Sequence, residues 1–247
     1  MNNEKIQKIL SSNGYGSRRK IEKMIIKKKI YINNKLVKIG QRININKKMK
    51  ILINKKKIIL SNNINKKLIL AYYKKIGEIC TKYDNKNRIT IYDKLPIIKN
   101  VNWISVGRLD INSCGIILFT NDGELAYRLM HPKYKIKREY IVRVFGKINN
   151  NLLNKLCTGI KINNKINKFK KICYISGFGL NKWFKITILE GRNKEIRKMF
   201  HYINLKVNYL IRISYGLIRL KNILLKVGKF KNLGLKYYNL LKKSVNY

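Results

Sequence analysis

Two patterns of apolar spacing divide the chain. In the first stretch Ile6, Ile9 and Leu10 fall at helical spacing, predicting a helix over Glu4–Leu10 that Ser11-Ser12-Asn13-Gly14-Tyr15-Gly16 ends. Ser17 stands where a cap belongs for a second helix, Arg18–Ile26, with Ile21, Met24 and Ile25 inward. Strand-like pieces follow at Ile30–Ile32 and Leu36–Val37, joined across Asn33-Asn34-Lys35. Ile51–Ile53 reads as the last piece of this small module, and polar, aperiodic Ser61–Lys67 as a linker. From Leu68 the apolar runs lengthen. Leu68–Tyr73 predicts a buried strand, Lys137–Val144 alternates as a half-buried one, and Ile172–Ile175 and Trp183–Leu189 read as two more. The inward set of the alternating strand is either Tyr140, Val142 and Val144 or the opposite face. Helices are predicted over Glu124–Met130, with Leu125, Leu129 and Met130 inward, over Asn150–Gly159, and after Gly191, with Ile196, Met199, Phe200 and Ile203 inward. Ser176-Gly177-Phe178-Gly179 reads as a hairpin turn, and His131-Pro132 as a helix stop with the histidine as a cap.

One stretch, Ser105–Leu125, gathers these signals around a single carboxylate. Asp110 follows Gly107-Arg108-Leu109 directly, and five residues later the run Ile116–Phe119 predicts a buried strand closed by the turn Thr120-Asn121-Asp122-Gly123. An acid beside an arginine, on a short loop held against a buried strand, is placed as a nucleophile or base. The plain alternative is a structural loop aspartate paired with Arg108, since structural ion pairs perturb acids as well. A second basic cluster, Arg192, Arg197 and Lys198, crowds a helix start. There it opposes the helix dipole and calls for a polar partner: an RNA phosphate, Asp110 or solvent.

Charge narrows the class of partner. Lys+Arg 57 against Asp+Glu 11 gives +46 in 247 residues. A nucleic acid offers regularly spaced phosphates to such a surface. The saturation with Lys, Asn and Ile also points to biased coding, which accounts for part of the charge. Cys80, Cys114, Cys157 and Cys173 lack Cys-x-x-Cys spacing, so free thiols in a reducing cytoplasm are expected and a zinc site is not. No run approaches the ~20 apolar residues of a membrane span. No Walker pattern suggests nucleotide hydrolysis.

GRLD, four residues, then GIILFTNDGEL resembles the signature of the RsuA/RluB group of ribosomal RNA pseudouridine synthases. The likeness runs from about Glu4 to Tyr238. It implies that Asp110 is the catalytic aspartate, that Tyr140 stacks on the target base, and that Arg197, within EGRNKEIRKMF, is the basic residue paired with Asp110. SNGYGSRRKIEKMIIKKKIYINNKLVKIGQRI is similar to the S4 RNA-binding domain, which implies RNA contacts by Arg18, Arg19 and Lys20. Arg108, Arg192, Asn193 and Lys198 are expected to hold RNA as well. Departures from the pattern are Lys28 and Asn34, where glycines are usual, Lys75 in place of a proline, and a tail that drifts after Leu220. VNYLIRISYGLIRL resembles the large-subunit branch of the family.

The resemblance implies an α+β fold: an S4 module (1–60), a linker (61–67) and a catalytic domain (68–247) with a mixed, mainly antiparallel sheet flanked by helices and loops. The expected activity is isomerisation of uridine to pseudouridine in ribosomal RNA, most like 23S, free or in a pre-ribosomal particle. No cofactor, metal or membrane is expected, and the chain is expected to act as a cytoplasmic monomer. The rival readings are the same chemistry on small-subunit 16S RNA, and a non-catalytic RNA-binding or ribosome-assembly protein.

Overall fold

The computed structural model describes residues 3–44, 49–60, 67–98 and 101–247. The predicted linker therefore lies outside the described residues except for Lys67. The chain forms two compact units. One comprises Met1–Lys67, Pro96–Ile104 and Asn121–Gly123, and the other the remainder.

The first unit starts with strand β1 (Glu4–Lys5), so its first helix, α1 (Ile6–Ser12), begins later than the spacing predicted. β1 pairs with β4 (Arg42–Ile43), which removes its two residues from the helix. Helix α2 (Arg18–Ile26) has the predicted bounds, and Ser17 Oγ accepts from the Lys20 N–H at 3.2 Å. β2 (Ile30–Ile32) and β3 (Lys35–Leu36) form a hairpin whose turn residues Asn33 and Asn34 have φ 47° and 64°. Asparagine tolerates that conformation. Lys28 takes φ 53° at the end of α2, a conformation with a steric cost on the order of 1 kcal/mol for a non-glycine residue. β5 (Ile51–Ile53) is not the last strand of the module: β6 (Lys56–Ile58) pairs with it, completing a four-stranded sheet. Ile6, Ile9, Leu10, Ile21, Ile30 and Ile51 fill the core, with Met24 and Ile58 partly buried against it.

The second unit is built on a nine-stranded sheet. Its strands are β7 (Ile69–Lys74), β8 (Ile104–Val106), β9 (Cys114–Thr120), β10 (Arg138–Phe145), β13 (Lys171–Phe178), β14 (Asn181–Ile188), β15 (Lys206–Tyr215), β16 (Ile218–Arg219) and β17 (Phe230–Asn232). A separate hairpin, β11 (Ile160–Ile162) and β12 (Lys165–Asn167), went unpredicted. The order along the main path is β13-β14-β10-β15-β9-β7-β17. The β9–β15 pair is parallel, while the other registered pairs of this sheet are antiparallel, so the expected mixed, mainly antiparallel sheet is what forms.

β9 is buried at every position, which is why its sequence is a continuous apolar run rather than an alternation. Gly115 makes its parallel pairing possible. It sits opposite Arg212 with φ 110°, and a Cβ there would lie 2.3 Å from the Arg212 carbonyl oxygen. On β10 the inward face is Tyr140, Val142 and Val144, extended one step back by Arg138.

Helices α3 (Gly123–Met130), α4 (Asn150–Thr158) and α5 (Glu195–Tyr202) stand where predicted within a few residues. On α3, Ala126 is buried with Leu125 and Leu129, and Met130 is partly exposed, facing the cleft described below. His131 caps the following 3-10 turn, Nδ1 accepting from the Lys133 N–H at 3.2 Å. The β13–β14 turn is Gly179-Leu180, later than predicted. Ser176 and Gly177 remain in the ladder, where a bulge after Tyr174 absorbs the extra residue. The drifting tail is ordered into α6 (Leu220–Ile223), the edge strand β17 on β7, and α7 (Gly234–Lys243).

Candidate active site

Asp110 sits on the loop between β8 and β9, and the backbone on both sides of it is tied down. Gly107 turns the chain at φ 81°. Before the aspartate, Cys80 Sγ donates to the Leu109 carbonyl at 3.2 Å and accepts from the Leu109 N–H at 3.3 Å. After it, the fully buried Lys74 donates from Nζ to Ile111 O at 3.3 Å and Ser113 O at 2.8 Å. Lys74 Nζ also donates to Lys75 O at 2.9 Å, so three carbonyls take the three protons of the ammonium. Gly77 N–H reaches Ile111 O at 2.9 Å, and Ser113 N–H closes a turn onto Asp110 O at 3.0 Å. Burial pushes the Cys80 thiol up and Lys74 down from their ordinary pKa values.

Arg197, on α5, approaches from the other side. Its Nε lies 3.9 Å from Asp110 Oδ2, a long ion pair. The guanidinium is fixed more firmly by Val207 O and Asn112 O, each at 2.8 Å. Asn112 belongs to the Asp110 loop, so Arg197 both faces the carboxylate and braces the backbone beside it. The polar partners expected for the helix-start cations are thus largely protein carbonyls. Arg192 likewise donates to Ile166 O at 2.9 Å and Asn167 Oδ1 at 3.0 Å, and pairs with Glu190 at 2.9 Å. The bend that brings it there is locked by Glu195 Oε2, which accepts from the Arg192 N–H at 3.0 Å. Burial raises the Glu195 pKa.

These groups line one cleft of about 720 Å³ within the second unit, a volume in the range of small-ligand sites. Asp110, Tyr140, Arg197, Arg108, Arg192 and Asn193 share it, and cations outnumber carboxylates along its walls. Lys198 is exposed and does not line it. Arg18, Arg19 and Lys20 are exposed on α2 of the first unit.

Several cleft residues were missed. Arg138 is buried, donating to Leu189 O and the Tyr215 hydroxyl, each at 3.0 Å. Arg212 is buried too, its Nε donating to Ile116 O at 2.8 Å. Its Nη2 meets no acceptor in the structure, a state that costs about 1–3 kcal/mol for a buried donor. Both guanidinium groups lie over the Tyr215 ring, at 4.9 and 5.1 Å. Arg138 was legible as the position two before Tyr140, on the same face of the alternation. Lys74 had no such signal, being one cation among many.

The model of the family described as RNA pseudouridylate synthase matches residues 67–202, which include every residue of the Asp110 loop and Arg197. The chain belongs to that family. An S4 domain model matches residues 4–47, so the expected enzyme class and RNA-binding module are both borne out. Curated relatives named ribosomal large subunit pseudouridine synthase B include one from Buchnera aphidicola subsp. Schizaphis graminum, 51% identical over 244 residues. That match spans 96% of this chain and 94% of the relative. One from Buchnera aphidicola subsp. Baizongia pistaciae is 48% identical over 222 residues, covering 90% of each chain. An Escherichia coli relative is 42% identical over 214 residues, covering 86% of this chain and 74% of its own. Among solved structures, a crystal structure of a pseudouridylate synthase aligns with TM-score 0.63 at 22% identity, over 96% of this chain and 99% of its own. That likeness supports the fold.

Proposed function

We propose that the protein converts a uridine of large-subunit ribosomal RNA to pseudouridine, with Asp110, Tyr140 and Arg197 as its catalytic group. The observation that carries this reading is that Asp110, held on a loop braced from both sides, shares one basic cleft with Tyr140 and Arg197. The names of the curated relatives support the choice of large-subunit RNA.

A stacked base hides its glycosidic bond, so the target uridine must leave the stack and enter the cleft. There the N1–C1′ bond breaks, the uracil turns, and C5 bonds to C1′. The C5 proton then leaves and N1 gains one, so the reaction is an isomerisation. Asp110 either attacks the sugar or removes a sugar proton. Arg197 faces the carboxylate and, through Asn112 O, holds the loop that orients it. Tyr140 stacks on the uracil. Arg108, exposed at the cleft, takes the place of the departed base or holds a phosphate, and Arg192 and Asn193 contact the RNA beside it. Lys198 serves the flanking backbone. Residues 1–60 act as the addressing module through Arg18, Arg19 and Lys20, residues 61–67 as the linker, and residues 68–247 as the catalytic domain. The chain works as a monomer.

Asp110→Asn tests the reading. The amide is nearly isosteric but serves neither as nucleophile nor as base, so pseudouridine formation in a large-subunit RNA fragment is expected to vanish while RNA binding persists. Turnover by a well-folded Asp110→Asn protein would remove the assignment. Modification confined to small-subunit RNA by the wild type would move the substrate, and binding without any modification would leave a non-catalytic RNA-binding protein.

A further inference from the structure

We propose that Arg212 binds a carbonyl oxygen of the extruded uracil, and so helps hold the base in the cleft. The inference rests on the function proposed above and extends it to a residue outside the catalytic group.

Arg212 projects from β15 at a position paired with Tyr140 on β10, and both line the cleft. Cross-strand partners present their side chains on one face about 5 Å apart. A base lying on Tyr140 therefore brings an edge to Arg212. The guanidinium is held in place without a substrate: Nε is bound to Ile116 O at 2.8 Å and the group lies over Tyr215. It is only 2% exposed, and Nη2 has no acceptor. A fixed, dry donor with nothing to bind is a recognition group waiting for an oxygen.

The depth of the site selects a base carbonyl over a phosphate. Burying a phosphodiester would strip water from a full charge, whereas a carbonyl oxygen is neutral and loses less on burial. Arg108 and Arg192, both exposed, are among the cleft cations that water can reach. If the acceptor is uracil O4, the same donor meets the amino group of cytosine with donor against donor, and cytidine is excluded. If it is O2, Arg212 holds the base without excluding cytosine.

The test uses the full-length protein and a large-subunit RNA fragment labelled with tritium at C5 of the target. Three versions carry uridine, 4-thiouridine or 2-thiouridine there, and single-turnover tritium release is followed. Sulfur is a weak acceptor, so the wild type is expected to slow roughly tenfold on one of the two thio-RNAs, which identifies the oxygen. Arg212→Gln is expected to be slow on uridine and to lose its preference between uridine and that thio-RNA. Arg212→Lys, which keeps the charge but not the fixed fork, is expected to fall between. A purely structural role would slow all three RNAs alike and leave the preference intact. The inference is overturned by equal wild-type rates on all three RNAs, an arm that needs no variant to fold. It is also overturned by an unchanged thio preference in Arg212→Gln, or by variants that lower only affinity and salt slope, the mark of a phosphate contact. No tritium release from the uridine RNA by the wild type would remove the proposed function itself, and this inference with it.

Discussion

Replacing Lys74 by Met tests how far the activity depends on the backbone around Asp110. Methionine has a similar length and no charge, so it fills the same buried space while removing all three bonds from Nζ to the carbonyls of Lys75, Ile111 and Ser113. Hydrogen bonds to a charged group contribute about 1.5–3 kcal/mol each, and relief from burying an ammonium offsets part of the loss. Ile111 O also keeps the Gly77 N–H at 2.9 Å. A net destabilisation of roughly 2–4 kcal/mol follows, or about 5–15 °C in Tm for a chain of this size. The effect on chemistry is separate. Ile111 and Ser113 follow Asp110 closely, so releasing them lets the carboxylate move by about 1 Å, a displacement that costs about 100-fold in rate. RNA affinity is expected to stay within about twofold, because the surface cations are untouched. The assays are thermal melting, RNA binding, and single-turnover pseudouridine formation well below the variant's Tm. A variant that melts lower but turns over at the wild-type rate would show that Lys74 supports the fold and not the Asp110 geometry. A variant matching the wild type in both would refute the reasoning.

Three further outcomes are expected. Gly115→Ala sets a Cβ against the Arg212 backbone at 2.3 Å and a side chain at φ 110°, so urea unfolding is expected to show a loss of at least about 3 kcal/mol. Glu195 has a raised pKa, so its protonated form favours the fold. That contribution is full below the ordinary carboxylate pKa and is lost as pH rises through the raised value. Glu195→Gln keeps an acceptor for the Arg192 N–H and is expected to flatten the fall in stability across that window, as followed by denaturant titration at several pH values. Changing Arg18, Arg19 and Lys20 together to Ala is expected to weaken RNA binding and lower its log–log salt slope by up to roughly 2–3, with single-turnover rate on saturating RNA unchanged. An unchanged slope would free these residues from any phosphate contact.

What the sequence decided alone were features set by neighbours in the chain. Ser17 caps α2 because a cap acts over three residues, and the Asn33-Asn34 turn forms because asparagine enters the left-handed region where it stands. The all-apolar run of β9 announced a buried strand, and the alternation in β10 announced two faces, of which only the structure shows that the one bearing Tyr140 is buried. Local signals also placed Asp110 on a loop entering that strand.

Tertiary structure decided everything that depends on partners far along the chain. Lys74 and Arg212 look like any of the other cations in sequence. They became distinct only when β7, β9 and β15 met and buried one against three carbonyls and the other against Ile116 O. The tail showed in sequence only as a drift after Leu220; its strand β17 is a three-residue edge strand, placed by its ladder to β7. Arg197 was placed near Asp110 by resemblance, yet only the packed sheet and helix showed that backbone carbonyls hold it more closely than the carboxylate does. Propensity and periodicity act over a few residues, whereas the burial that turns an ordinary lysine or arginine into part of a site comes from contacts dozens of residues apart.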